Sequence, residues 1–327
     1  MNRRDTAIAL LALGVAPFSS IAQPPGKVWR IGWLLTIRRP ESESHFTNAF
    51  ARGMHELGYV EGRNVVYERR FYDGKGELLP GLAAGLVQLK VDLIVVSSSP
   101  ATAAAQKATS TIPIVFLVDS DPVGNGFVAG LARPGGNITG QSALGVELSA
   151  KHLEMLRSLV PKLSRVAVLM NPDDDSQATM LKSVQAAGQS TGVAIQSFDA
   201  RLPQELENAF AQAVRWKAGG LIVARGPFSN SQVRPIAELA ARHRLPTIAG
   251  LAEYVNAGGL ISYGANLSDL FRRGATYVDK IFKGAKPGDL PVEQAAVFEM
   301  FVNRKAAKAL GLTLPQSLLA IADKVID

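Results

Sequence analysis

The chain contains no cysteine. That single absence excludes disulfides, thiolate metal ligands, thiol nucleophiles and a lipid-modified cysteine behind a leader. Histidine is nearly as scarce. His45, His55, His152 and His243 are far apart, and no two have the spacing of a metal pair. There is no G-x-S-x-G elbow to present a serine nucleophile. Catalysis is thus left without a candidate constellation. The net charge is +7, but the basic residues come as scattered pairs such as Arg69-Arg70, Arg242 with Arg244, and Arg272-Arg273. No basic run with interleaved aromatics forms, which argues against nucleic acid as a partner.

The N-terminus supplies the only leader-like segment. Arg3 and Arg4 precede an apolar stretch from Ala7 to Phe18, followed by Ser20-Ile21-Ala22. A charged start, an apolar middle and a small-x-small site read as an export signal over residues 1–22. The stretch is too short to span a bilayer as an anchor. Export by the general secretory or the twin-arginine route is expected, with cleavage near Ala22, a periplasmic location and a free, unanchored mature protein. Removing residues 1–22 takes away Arg3, Arg4 and Asp5 and leaves a net charge of +6.

The mature chain is built on a doubled pattern. Residues 28–119 hold four short apolar runs, at 28–35 (VWRIGWLL), 65–71, 91–96 (VDLIVV) and 112–118 (IPIVFLV). Residues 163–250 repeat the order at 165–170 (RVAVLM), 193–198, 219–224 (GGLIVA) and 245–249. Helix-like segments separate the runs. Phe46, Phe50, Met54 and Leu57 share one face over 44–57, and Leu153, Leu156 and Val160 do so over 147–160. Alternating strands and helices make parallel sheets covered on both faces. The expected fold class is α/β, with two doubly wound, Rossmann-like lobes and a cleft between them. The 65–72 strand alternates and is partly charged, which suits a sheet edge.

Between the blocks, DSDPVGNGFVAGLARPGGNITG (119–140) reads as a long loop, a length that is usually functional. After the second block come GGLISYG (258–264), a helix over 268–283 and a strand VFEMFVN (297–303). Neither block needs this tail for its own sheet, so it is expected to cross between lobes and make a hinge with several crossovers. The lobes are then 28–142 plus 259–287, and 145–256 plus 290–327.

In such sheets the ligand lies beyond the carboxyl ends of the strands. The first block presents Thr36, Ser97-Ser98-Ser99 and Asp119 there, and the second presents Asn171, Asp199, Arg225 and Gly250. Ser98 and Ser99 open a helix, where free N–H groups make an anion site; a plain N-cap is the other reading. Asn171-Pro172 with Ser176 is the matching device in the second lobe. Asp119 could accept from a ligand ammonium or cap its own loop. Arg225 could fork onto a carboxylate or stand solvated. Tyr263 and Trp33 could wall the cleft or pack in the core. The run GNGFVAG is no dinucleotide fingerprint, because its last glycine comes one residue late and it follows a fourth strand.

With the export signal, the stretches RIGWLL, GYVEGRNV, IPIVFLVDSDPVGNGFVAGLARPGGNITG, EYVNAGGLISYGANLSDLFRRGATYVDKIFKGAKPGDLPVEQ and FVNRKAAKALGLTLP resemble the ABC-transporter substrate-binding proteins related to tryptophan- and tyrosine-binding receptors. The likeness covers essentially the whole mature chain. It implies the type I periplasmic binding protein fold, no cofactor and no metal. It also implies service to a membrane permease and its ATPase by capture of a small, amino-acid-like ligand, with aromatic amino acids among the candidates; a monomer is expected. Where relatives often carry Gly-Thr-Pro-Ala, this chain has Ser-Ser-Ser-Pro-Ala, which keeps a hydroxyl and open N–H groups. The ligand site expected from the strand ends is Thr36, Ser98, Ser99, Asp119, Asn171, Ser176, Arg225 and Tyr263. The same fold could instead feed a membrane sensor. An exported two-domain enzyme is the third alternative.

Overall fold

The computed structural model describes residues 27–35, 45–72 and 75–327. The export signal at 1–22 and Thr36 lie outside the described residues. The first lobe is a six-stranded sheet in the order β11-β5-β4-β3-β1-β2. Its strands are β1 (Trp29–Leu35), β2 (Val65–Phe71), β3 (Leu93–Val96), β4 (Ile114–Asp119), β5 (Ile138–Ser142) and β11 (Glu293–Gln294). Every pairing in it is parallel. The second lobe has seven strands in the order β13-β12-β10-β9-β8-β6-β7. These are β6 (Arg165–Met170), β7 (Ala194–Asp199), β8 (Gly220–Val223), β9 (Thr247–Ala249), β10 (Ile261–Ala265), β12 (Phe298–Asn303) and β13 (Lys324–Ile326). Only β12 against β10 is antiparallel.

Twelve helices cover the described sheets: α1 (His45–Glu56), α2 (Leu79–Gln88), α3 (Ser99–Ala108), α4 (Gly145–Leu159), α5 (Asp175–Thr191), α6 (Leu206–Arg215), α7 (Pro227–Ser231), α8 (Val233–Arg242), α9 (Ala252–Asn256), α10 (Leu267–Phe282), α11 (Arg304–Ala309) and α12 (Gln316–Ile321). Each sheet is buried on both faces, which is why its central strands read as unbroken apolar runs. In the first lobe Ile31, Trp33, Phe50 and Leu117 fill one layer, and Leu86, Ile94, Val96 and Phe116 fill the other. In the second lobe Leu156, Val166, Met180 and Ile222 lie on one side, and Leu169, Phe210, Leu221 and Ile236 on the other. The partly charged β2 is an edge strand, as its alternation required.

Three assignments differ from the sequence reading. The segment taken as a loop to residue 140 ends in β5, which starts at Ile138. Ile-Thr-Gly-Gln-Ser carries little apolar signal, yet it is fully buried. Its polarity is satisfied internally: Gln141 Nε2 donates to the Leu270 carbonyl at 2.7 Å and Thr139 Oγ1 to that of Leu290 at 2.7 Å. Gly140 has φ 155°, and a Cβ there would lie 2.0 Å from the Phe116 carbonyl oxygen, so only glycine serves.

Secondly, β10 was assigned to the first lobe and belongs to the second. Ile261 pairs with Ile248 of β9 and with Val302 of β12, and it packs in that core. Thirdly, β11 was assigned to the second lobe and belongs to the first, where Glu293 pairs with Gln141. The chain therefore crosses three times, near Leu144, Asn266 and Ala295–Val297. Between the last two crossings, α10 packs on α1. Gly53 permits this, since a Cβ there would sit 2.3 Å from the Arg272 carbonyl oxygen. The crossings lie side by side: Asn266 N donates to the Val297 carbonyl at 3.0 Å, and Ala295 N to that of Ser142 at 2.7 Å. Leu144 holds φ 54°, ψ 39° at the first crossing, a left-handed conformation costing a non-glycine residue about 1–2 kcal/mol.

Candidate functional site

The carboxyl ends of both sheets face each other across these crossings. On the first lobe, Asp119 ends β4 and is 2% exposed. Its Oδ1 accepts from Asp121 N at 2.9 Å and Asn125 Nδ2 at 3.1 Å, and its Oδ2 accepts from Ser99 Oγ at 2.7 Å. Burial pushes its carboxyl from 3.8 up to about 6; the Ser99, Asp121 and Asn125 donors oppose the rise and the charge of Asp174 adds to it. The Ser99 hydroxyl is therefore committed to an acid and is not open to a ligand anion. Ser98 is the N-cap of α3. Its hydroxyl is held by Tyr72 Oη at 3.0 Å and accepts weakly from Ala101 N at 3.4 Å.

The second lobe is organised around a different residue from those the sequence suggested. Asp174 is the N-cap of α5 and is 5% exposed. Its Oδ1 accepts from Ser176 Oγ at 2.6 Å and Ser176 N at 3.2 Å, and its Oδ2 accepts from Gln177 Nε2 at 3.2 Å. Burial raises its pKa, with these donors opposing. Asn171 is tied into the same turn: its N–H donates to Gln177 Oε1 at 2.8 Å and its Oδ1 accepts from Asp173 N at 3.0 Å. Asn171 and Ser176 thus build the turn that carries Asp174. Gly226 closes against it. A Cβ on Gly226 would lie 2.2 Å from Gln177 Nε2 and 2.8 Å from Asp174 Oδ2.

Arg225 follows β8, and its stem passes 3.4 Å from where a Cβ of Gly250 would be. Its Nη1 is shielded from solvent and has no hydrogen-bond partner among the described residues. Burial lowers its pKa to about 10 and Asp119 pulls it back up, so the guanidinium stays charged at neutral pH. A shielded, unpaired guanidinium N–H is costly unless something accepts from it.

Beneath Arg225 lies a cavity of about 20 Å³, lined among others by Leu148, His152, Met180, Arg225 and Tyr263. That is room for about one water. Tyr263 is half-buried, with its ring 6.2 Å from that of Phe298. Its carbonyl meets His152 Nε2 at 2.7 Å, and since a carbonyl only accepts, Nε2 carries the hydrogen. Burial drops His152 from 6.5 to about 4, so the ring is neutral. Trp33 belongs to the core, where it packs on Phe50 with centroids 4.9 Å apart.

The structure thus gathers Ser99, Asp119 and Arg225 at one place, with Tyr263 in the cavity below. It turns the hydroxyls of Ser98 and Ser176 inward to their own lobes. Asp174, Asn125, Gly226 and His152 were missed. Asp174 sits in the run Asp173-Asp174-Asp175, where sequence does not say which acid caps. Its position two residues ahead of Ser176 was the available signal. Among the described residues no cluster of His, Asp and Glu is arranged to hold a metal ion, and no helix is long and apolar enough to cross a membrane.

Known proteins share this architecture. A tyrosine-binding protein of Clostridioides difficile is 26% identical over 267 residues, covering 80% of this chain and 75% of its own. A conserved domain protein from Vibrio cholerae has 25% identity and a TM-score of 0.84, covering 91% of this chain and 100% of its own. An ABC domain from Streptococcus pneumoniae in complex with L-Trp shares the fold at 24% identity and TM-score 0.83, covering 91% and 99%. The ligand-free, open structure of a substrate binding protein with adhesive properties from Clostridium difficile has 25% identity and TM-score 0.65, with the same coverage. The match to the model of ABC transporter substrate binding proteins runs over residues 37–326, and the chain belongs to that family, with the type I periplasmic binding protein fold.

Proposed function

We propose that the chain is the exported receptor of an ABC importer, and that it closes its lobes on a small amino-acid-like ligand, with aromatic amino acids as first candidates. The observation that carries this reading is the opposition of a shielded, unpaired Arg225 Nη1 on one lobe to a buried Asp119 on the other. That pair matches a zwitterion. Arg225 takes the carboxylate and Asp119 takes the ammonium. Asn171 and Ser176 shape the second wall, and Ser98, Ser99 and Tyr263 shape the rest. The small cavity requires the lobes or Met180 and Tyr263 to move before a ligand of that size enters. Ligands that favour the closed state then shift the equilibrium toward it, and the closed form is what the permease and its ATPase would receive.

Native mass spectrometry of freshly purified protein and a thermal-shift panel of amino acids and sugars test this. L-tyrosine or L-tryptophan is expected to raise Tm, and Arg225→Met to weaken binding by about 10- to 100-fold. Shifts by sugars with none by any amino acid would refute the ligand class.

A further inference from the structure

Most of the cavity wall beneath Arg225 is apolar. Leu148, Val168, Met180, Val184 and Ile222 supply it from two helices and two strands. On the α4 side two polar side chains interrupt it. Ser149 gives its hydrogen to the Gly145 carbonyl at 2.6 Å. His152 is 6% exposed and gives its Nε2 hydrogen to the Tyr263 carbonyl. A neutral imidazole carries one N–H, so Nδ1 is a bare acceptor. No group among the described residues donates to it. Nor is it one of the fully shielded atoms without a partner, as Arg225 Nη1 is. It therefore borders open space, and the space that His152 lines is this cavity. Burial keeps the ring neutral down to about pH 4, so the acceptor stays bare at neutral pH. An acceptor facing an apolar cavity is costly unless something donates to it. A ligand side chain that fills the space in place of water must bring a donor or leave Nδ1 unsatisfied.

Resting on the amino-acid reading above, we infer that His152 is a specificity-determining residue, and that the ligand's side chain ends in an O–H or N–H donor that its Nδ1 accepts. With the carboxylate on Arg225, which closes the cavity from above, the side chain is directed down toward the His152 wall. The thioether of Met180 is the part of that wall most able to yield to it. Arg225 and Asp119 then select for an amino acid, and His152 selects among amino acids. It rejects phenyl and aliphatic side chains, because they leave a buried polar group unpaired.

Calorimetric titration of the full mature protein with matched pairs decides this: L-tyrosine and 4-fluoro-L-phenylalanine, L-tryptophan and 3-benzothienyl-L-alanine, L-threonine and L-valine. Each pair keeps the shape and exchanges the donor for a group without one. In the pair that binds, the donor-bearing member is expected to be tighter by about 10-fold or more. His152→Leu should bring the two members within about 3-fold of each other, chiefly by weakening the donor-bearing one. Because that variant also loses the bond to the Tyr263 carbonyl, a second readout uses the wild type alone. With 15N-labelled histidine, the resonance of the bare, buried Nδ1 should move upfield when the donor-bearing ligand binds and not with its partner. Partners that bind wild-type protein equally overturn the inference and leave the amino-acid reading standing. A preference that His152→Leu retains, or an Nδ1 signal blind to the donor, does the same. A protein that binds sugars and no amino acid overturns both.

Discussion

Asp119 can be made to report its own burial. Its carboxyl is raised from 3.8 to about 6, chiefly by loss of water. At about 1.4 kcal/mol per pH unit, this corresponds to about 3 kcal/mol of difference between the two protonation states. The sign follows from linkage. The folded protein holds this proton more tightly than the unfolded chain does. The stabilisation is complete below about pH 4 and is lost as pH rises through about 6. Asp119→Asn does not titrate, so the stability of the wild type relative to the variant should fall by about 3 kcal/mol between pH 4 and pH 7.5. At ~2 °C per kcal/mol for a chain of this size, that is a change of about 6 °C in the difference between two melting temperatures. Groups remote from Asp119 titrate alike in both proteins and cancel; Asp174, whose charge adds to the rise at Asp119, is the exception and contributes to the same difference. The assay is a pair of melts at each pH without ligand, read by circular dichroism. Two curves that stay parallel from pH 4 to pH 7.5 would mean that Asp119 is solvated in the resting protein, and the burial argument would fall with them.

His152 should behave in the opposite sense. Its pKa is lowered to about 4, so stability tied to the neutral ring is complete above about 6.5 and is lost as pH falls through 4. His152→Leu should cost about 1–3 kcal/mol at pH 7.5, by leaving the Tyr263 carbonyl unpaired, and melts should show that gap narrowing toward pH 4. Gly264→Ala places a Cβ 2.1 Å from the Gly250 carbonyl oxygen and should cost about 1–3 kcal/mol, whereas Gly85→Ala, in open space inside α2, should gain about 0.5–1 kcal/mol; denaturant titration measures both.

The architecture was largely legible because its central strands are buried on both faces. Runs such as VDLIVV and RVAVLM could be read without any knowledge of their partners. What could not be read was burial supplied from elsewhere. β5 is a strand because β4 and α10 cover it, and its own Gly and Gln argue otherwise. β11 belongs to the first lobe because Glu293 finds Gln141, a pairing no local signal announces. The site divides in the same way. Asp119 and Arg225 stood out as charged residues at strand ends. Asp174 did not, because only the geometry of its turn distinguishes it from Asp173 and Asp175, both of which face solvent. Ser98 and Ser99 were read correctly as a helix start, but their hydroxyls serve Tyr72 and Asp119, and such a commitment appears only when distant strands are brought together.

The three crossings also set a schedule for the growing chain. Helix α1 finds its partner in α10, more than two hundred residues further on, and the first sheet gains its last strand only with Glu293–Gln294. A polypeptide interrupted before that point holds incomplete versions of both lobes, with the first layer of its core uncovered. Contacts this distant in sequence form late, because long loops must close before they reward the chain. For the exported receptor proposed above, that delay keeps the chain threadable until nearly all of it has been made.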